Sequence, residues 1–153
     1  MEGYGMTIAP IIKVKLLRDG ANVPEFMSEG AAGADLRACL NERIVLEPGE
    51  RVLVSTGIEI EIPGGYEGEV RPRSGLAVRH GISLVNSPGT IDSDYRGEVK
   101  IIMINHGDRP FEINHGDRIA QLLINKVERP IFEIVDELTD TERAEGGFGS
   151  SGK

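Results

Sequence analysis

Residues 89–105 read GTIDSDYRGEVKIIMIN, and the two halves of that run set the expected fold. The second half, EVKIIMIN (98–105), is apolar or alternates with a period of two, as a strand against a core does. The first half places Asp92, Asp94 and Tyr95 where a turn is expected between two apolar runs. The reading is a hairpin that presents two carboxylates and one aromatic ring.

Period two recurs on both sides of it. IIKVKLL (11–17), GIEIEIP (57–63), RIAQLLI (118–124) and IFEIV (131–135) read as further strands. Pro-Gly pairs in EPGE, IPGG and SPGT punctuate them as turns. Many short strands at this spacing predict an all-β sandwich or barrel. Helix candidates are GLAVRHG (75–81), too short to stand alone, and the polar DELTDTERAE (136–145). No domain boundary is expected before about residue 136. Beyond it the chain turns acidic and ends in GGFGSSGK, which reads as a mobile tail.

Composition narrows the function. The 153 residues suit one domain, and with no tryptophan the core must be built from Ile, Val and Leu. A formal net charge of -8 argues against sequence-independent nucleic-acid binding, which needs a basic face. It leaves room for a phosphate-bearing small molecule, if a few arginines converge or a divalent metal neutralises the ligand. The lone Cys39 cannot form an internal disulfide, which suits a reducing cytosol. The first residues lack a basic start followed by a long apolar core, so no signal peptide is expected. No stretch approaches the roughly 18 apolar residues of a membrane helix. A soluble, cytoplasmic protein is the expectation.

Several motifs carry chemistry when weighed singly. In RPRSGLA (71–77), Arg71 and Arg73 flank a proline and would share one face of an extended segment. With the Ser74 hydroxyl and the bare backbone of Gly75 they would make a phosphate cradle. A solvated edge strand ending in a turn explains the same residues. Asp92 could orient a water and take its proton, with Tyr95 lying flat under a sugar or base. The competing reading is a turn whose acids cap backbone amides. EGAAGADLRA (29–38) runs small residues into Asp35, either for close approach of a ligand or for a packed strand crossing. NHGDR occurs at 105–109 and again at 114–118, which reads as two polar turns bracketing a short strand. His106 and His115 have no Cys or His at ligand spacing, so no zinc site is expected. GFGSSGK fits the start of a P-loop, but that loop needs a following helix and the sequence stops at Lys153. A flexible tail with Arg143 and Phe148 could instead close over a ligand, or simply be disordered.

Taken in order, AAGADL, RPRSG, NSPGTIDSDYRGEV, GDRIAQ and RAEGGFGSSG resemble the five motifs of the trimeric dUTPase family. Each is weak alone. Five in order across nearly the whole chain are specific. The resemblance implies a jelly-roll-like β-barrel subunit over residues 1–136, a threefold homotrimer with shared sites, and a flexible arm at 137–153 that closes a site. It implies hydrolysis of dUTP to dUMP and pyrophosphate, which limits uracil in DNA and supplies dUMP for thymidylate. By resemblance, Asn86 and the backbone around Thr90 receive uracil, Asp92 orients the attacking water, and Tyr95 excludes a 2′-hydroxyl. Asp94 has a structural part. Ser74 and Gly75 contact the bridge between α and β phosphates, Arg73 supports the phosphate chain, and Gln121 orders the catalytic region. Arg143 reaches the γ-phosphate, Phe148 stacks on uracil, and Gly149, Ser150 and Ser151 border the phosphates. Magnesium would ride on the triphosphate and waters without a direct protein ligand, Asp35 touching its water shell. No nucleic acid or membrane partner is implied.

Ala144 and Ser151 depart from the Gly and Thr that many relatives carry. The leading MEGYGMTIAP matches nothing in the family and is expected to be disordered. Other readings are a dCTP deaminase or bifunctional deaminase on the same scaffold, a non-catalytic nucleotide-binding protein, and a structural β-sandwich. Deaminase relatives carry a glutamate where Ile102 stands here, and a pure binder has no need of Asp92. A structural module would leave the tail unexplained.

Overall fold

The structure is a computed structural model describing residues 8–152. The expectation of disorder for residues 1–7 lies outside that range, as does Lys153. The strands are β1 (Lys13–Leu16), β2 (Ala34–Arg37), β3 (Ile44–Leu46), β4 (Arg51–Glu61) and β5 (Tyr66–Arg71). The single helix among the described residues, α1 (Ser74–His80), follows, then β6 (Ile82–Leu84), β7 (Gly89–Ile91), β8 (Glu98–Asn105), β9 (Phe111–Ile113) and β10 (Arg118–Lys126).

All pairings are antiparallel. One sheet runs β1-β4-β8-β6, a second β2-β10-β5-β7, and β3 pairs with β9 alone. The fold is therefore mostly β, but its sheets are open and no closed barrel forms among the described residues. Strand β8 buries Val99, Ile101 and Met103 on one face, the period-two pattern of EVKIIMIN made physical. Leu36, Val54, Ile58, Ile82 and Ile119 from both larger sheets, with Ile113 from β9, complete an aliphatic core. Each such side chain contributes about 1.5–3 kcal/mol on burial, so the core needs no tryptophan.

Two polar residues among those described are buried with that core, Thr56 and Asn105, and Asn105 is fully buried at the end of β8. Its amide donates to the carbonyls of Leu46 (2.9 Å) and Arg109 (2.8 Å), and its oxygen accepts from Gly107 N–H (2.8 Å). A buried amide with its bonds made costs little. The first NHGDR is thus a turn pinned from inside, while the second closes through Asp117 accepting from Asn114 N–H (2.8 Å). The two copies bracket β9, as two polar turns should.

Three expectations change. The run from β7 to β8 is not a β-hairpin, because β7 pairs with β5 in the second sheet and β8 with β4 and β6 in the first. Residues 92–97 cross between sheets, with Tyr95 N–H donating to Asp92 O at 3.1 Å to form the turn. IFEIV forms no strand, and none of the described strands pairs with it to take its backbone bonds. Ile131, Phe132 and Ile134 are instead almost wholly exposed. The 136–145 segment forms no helix, because Leu138 has nothing to pack against and propensity alone cannot nucleate one. Helix α1 does form at GLAVRHG, starting one residue earlier at Ser74, with Arg73 as its N-cap and Gly81 as its left-handed C-cap. No helix among the described residues is long and apolar enough to cross a membrane.

Candidate active site

Register, more than proximity in sequence, assembles the site. Across the second sheet Asp35 of β2 pairs with Gln121 of β10, and Gln121 pairs with Arg71 of β5. On the far side of β5, Glu69 pairs with Thr90 of β7. Four stretches spread over about ninety residues of sequence thus lie side by side on one sheet.

Asp35 is nearly buried, with 12% of its side chain exposed. Its carboxylate takes Arg118 Nη1 at 3.1 Å and faces Arg73 Nε at 3.7 Å, while Arg73 Nη1 donates to Arg118 O at 3.0 Å. One acid therefore orients two arginines, and Arg73 is fixed at both ends. Gln121 Nε2 donates to Pro72 O at 2.9 Å. A Cβ on Gly33 would sit 2.5 Å from Gln121 Oε1, so the smallness of AAGADL serves this close approach. The turn before Ser74 is held from two strands, and the exposed Ser74 hydroxyl opens α1.

Arg71, Arg73, Ser74 and Gln121 line a cavity of about 360 Å³ with Ser87 and Pro88. The two arginines do share this cavity, but with different partners: Arg71 Nε is bound to Glu69 at 2.9 Å. That hydrogen bond holds the Glu69 carboxyl below its usual range. Guanidinium groups, a hydroxyl and a fixed backbone turn can receive a polyphosphate.

A second cavity of about 310 Å³ is lined by Asn86, Gly89, Thr90, Asp92, Tyr95 and Ile102, among others. Asp92 is exposed, so its carboxylate can meet water. Tyr95 is 46% exposed, and its hydroxyl donates to Glu98 O at 3.0 Å. Asp94 lies off this cavity and with Asp92 borders a further one of about 610 Å³.

The tail is not brought to these residues. Arg143 Nε donates to Gly146 O at 2.6 Å and Ser150 N–H to Gly147 O at 3.0 Å, so the segment turns upon itself. Phe148 stands free in solvent at φ 50°, followed by Gly149 at φ 83°. Two contributors carry no signal in the sequence: Arg118 inside GDRIAQ and Glu98 at the end of the crossover both read as ordinary strand residues.

A family model described as dUTPase matches residues 19–152. The sequence is 59% identical over 141 residues to a deoxyuridine 5'-triphosphate nucleotidohydrolase of Syntrophotalea carbinolica, covering 92% of this chain and 96% of that one. The chain belongs to the dUTPase family. A second relative of the same name, from an Anaeromyxobacter species, is 53% identical over 147 residues, covering 93% of this chain and 99% of its own. Among solved structures, a dUTPase variant of Staphylococcus bacteriophage 80alpha with dUpNHpp superposes with a TM-score of 0.85 at 30% identity, covering 94% of this chain and 99% of that one. A dUTPase variant from phage phi11 of S. aureus, described with a coordinated structural Mg(II) ion, gives 0.75 at 28% identity, covering 83% and 97%. The register that joins Asp35, Gln121 and Arg71 is therefore found in a dUTPase-family chain.

Proposed function

We propose that this dUTPase-family enzyme hydrolyses dUTP to dUMP and pyrophosphate in the cytoplasm, as a homotrimer of jelly-roll-like subunits with shared sites. The observation that carries the reading is the convergence of Asp35, Arg73, Ser74 and Gln121 around one sheet, whose strand β7 leads into the Thr90–Tyr95 segment.

The reaction divides between the two cavities. Asn86, with the backbone at Gly89 and Thr90, offers donors and acceptors for a pyrimidine edge. Tyr95 presents a ring face to the sugar and leaves no room for a 2′-hydroxyl. Ser74 and the backbone at Gly75 contact the bridge between the α and β phosphates, and Arg73 supports the chain. Asp92 orients a water and accepts its proton as the oxygen bonds to the α-phosphorus. The bond from that phosphorus to the bridging oxygen breaks, and its electron pair leaves with pyrophosphate. Donors placed along the phosphates stabilise the growing charge. Ile102, which cannot shuttle protons, lines the cavity where a deaminase would place its acid.

Magnesium fits this site as a substrate-borne ion. Asp35 has two carboxylate oxygens facing guanidinium groups, and its remaining lone pairs can accept from a metal-bound water. When bound, the ion supplies neutralisation of the phosphate charge.

Two features support shared sites. The arm beyond Lys126 exposes Ile131 (96%), Phe132 (91%) and Ile134 (100%), apolar surface that a neighbouring subunit would cover. Arg143, Phe148, Gly149 and Ser150 stand apart from both cavities in a single chain, as expected if the 137–153 arm closes a neighbour's site. The test is a phosphorus NMR time course with magnesium and dUTP, with dCTP, dTTP and UTP in parallel. dUTP alone should yield its monophosphate and pyrophosphate. Consumption of all four, or release of orthophosphate, overturns the uracil-selective reading.

A further inference from the structure

Tyr95 must hold one position to sense a single hydroxyl on a sugar, yet it sits on a crossover with little packing of its own. What fixes it is Glu98. The Tyr95 hydroxyl donates to the Glu98 carbonyl at 3.0 Å, and the ring lies so close over Gly97 that a Cβ there would collide with the phenol. The ring's position is therefore that of the first residue of β8.

The Glu98 side chain anchors that residue in turn. Arg18 grips the carboxylate with both prongs, Nη1 to Oε1 at 3.1 Å and Nη2 to Oε2 at 2.9 Å. Gly57 N–H donates to Oε2 at 3.3 Å. Gly57 lies where the β4–β8 register slips between Ser55 and Glu59, at φ 73°, and a Cβ on it would press Ala21 and the Cys39 thiol. The same glycine's carbonyl accepts from Leu17 N–H at 2.8 Å, which ties in the segment carrying Arg18. The carboxylate is only 15% exposed. Arg18 lies outside every cavity named above, and Glu98 reaches the sugar cavity only as part of its wall.

We infer that Arg18 and Glu98 are positioning residues for sugar selection: their ion pair, seated on the Gly57 bulge, sets the height of the Tyr95 ring and so the enzyme's discrimination between deoxyribose and ribose. The inference rests on the proposed role of Tyr95 and adds the device that holds it. A bidentate arginine–carboxylate pair fixes direction as well as distance, which lysine cannot do. Loss of the fork frees the start of β8 without touching a group that meets the phosphates.

The test compares kcat/KM for dUTP with that for UTP, in the full-length protein with magnesium. Arg18→Ala should lower the dUTP-to-UTP ratio by about tenfold or more, the scale on which a pocket senses one small group. Most of the change should be a gain on UTP. Arg18→Lys should fall between, and guards against a poorly folded alanine variant. Tyr95→Phe, which removes the hydroxyl tether itself, should give a similar ratio. Adding Arg18→Ala to it should then change little further, since both act through one contact. A ratio unchanged in both Arg18 variants, with dUTP turnover intact, overturns the inference and leaves the dUTPase reading standing. A wild-type enzyme that turns over UTP as readily as dUTP removes the role of Tyr95 and this inference with it. Absence of dUTP turnover in wild type is a failure of the function itself.

Discussion

Gln121 donates its side-chain amide to Pro72 O at 2.9 Å, so β10 holds the turn that leads into Ser74. Gln121→Ala would leave that carbonyl short of a partner at a cost of about 1–3 kcal/mol, and Ser74 would lose its fixed approach. We expect kcat to fall by roughly tenfold to a hundredfold with a smaller change in KM. Gly33→Ala should act the same way, because its new Cβ would press on Gln121 Oε1. Steady-state kinetics decide it; unaltered kcat in both variants would mean that Pro72 needs no such support.

Asp92 is an exposed carboxylate that lines the cavity shared by Asn86, Thr90 and Tyr95. Asp92→Asn preserves shape and polarity but cannot take a proton from water. Nucleotide binding, measured with a non-hydrolysable dUTP analogue, should persist, while kcat drops by about 10²–10⁴-fold. Turnover near that of wild type would remove Asp92 from the role of base.

Asn105 closes the first NHGDR turn from within the core. Asn105→Ala would strand two carbonyls and one N–H in a buried place. Stability should fall by about 2–4 kcal/mol, more than for a typical surface substitution. Denaturant unfolding measures this directly, and a loss below that range would show that water replaces the side chain.

How much of this could be read beforehand follows from where each signal lies. Period two is local, so EVKIIMIN and RIAQLLI were legible as strands and became β8 and β10. Pairing is not local, which is why residues 89–98 read as a hairpin although β7 and β8 join different sheets. IFEIV has strand composition too, yet a strand needs a partner and none of the described strands pairs with it. Resemblance pointed to Asp35, Gln121 and Asp92, and register then showed how two of them come together. It did not reveal that Asp35 faces Arg118 and Arg73, because ion pairing across β2, β10 and the β5–α1 turn leaves no mark on spacing. Glu98 was invisible for the same reason: Arg18 lies eighty residues away.

Every residue from 128 to 145 is exposed, and the bonds of Arg143 and Ser150 stay within the tail. Ending the chain before Arg143 should therefore leave the folded body and its assembly intact. If the arm closes a neighbour's site as proposed, activity should fall by about 10²-fold or more with the loss of that lid and its arginine. Circular dichroism and light scattering beside a dUTP assay separate the two effects. Full activity in the truncated protein would show that the arm closes nothing.

The Arg18–Glu98 pair also predicts how stability responds to acid. The hydrogen bond from Arg18, helped by Gly57 N–H, holds the Glu98 carboxyl below its ordinary value of 4.5 against the opposing effect of burial. A depressed carboxylate contributes stability that is fully present above its unfolded pKa and is lost as pH falls through the folded one. Wild type should thus be more stable than Glu98→Gln at pH 7, by about 1–3 kcal/mol. The gap should hold down to about pH 5 and then narrow as Glu98 takes up its proton. Glu61, held low by its bond to Lys13, and Glu69, held low by Arg71, are untouched by the substitution, so some acid sensitivity remains in both proteins. Urea unfolding at pH 7, 5, 4 and 3 measures the difference at each step. A gap that stays constant across that series would mean the contribution of Glu98 is packing rather than charge, and Arg18 would then have no grip to lose.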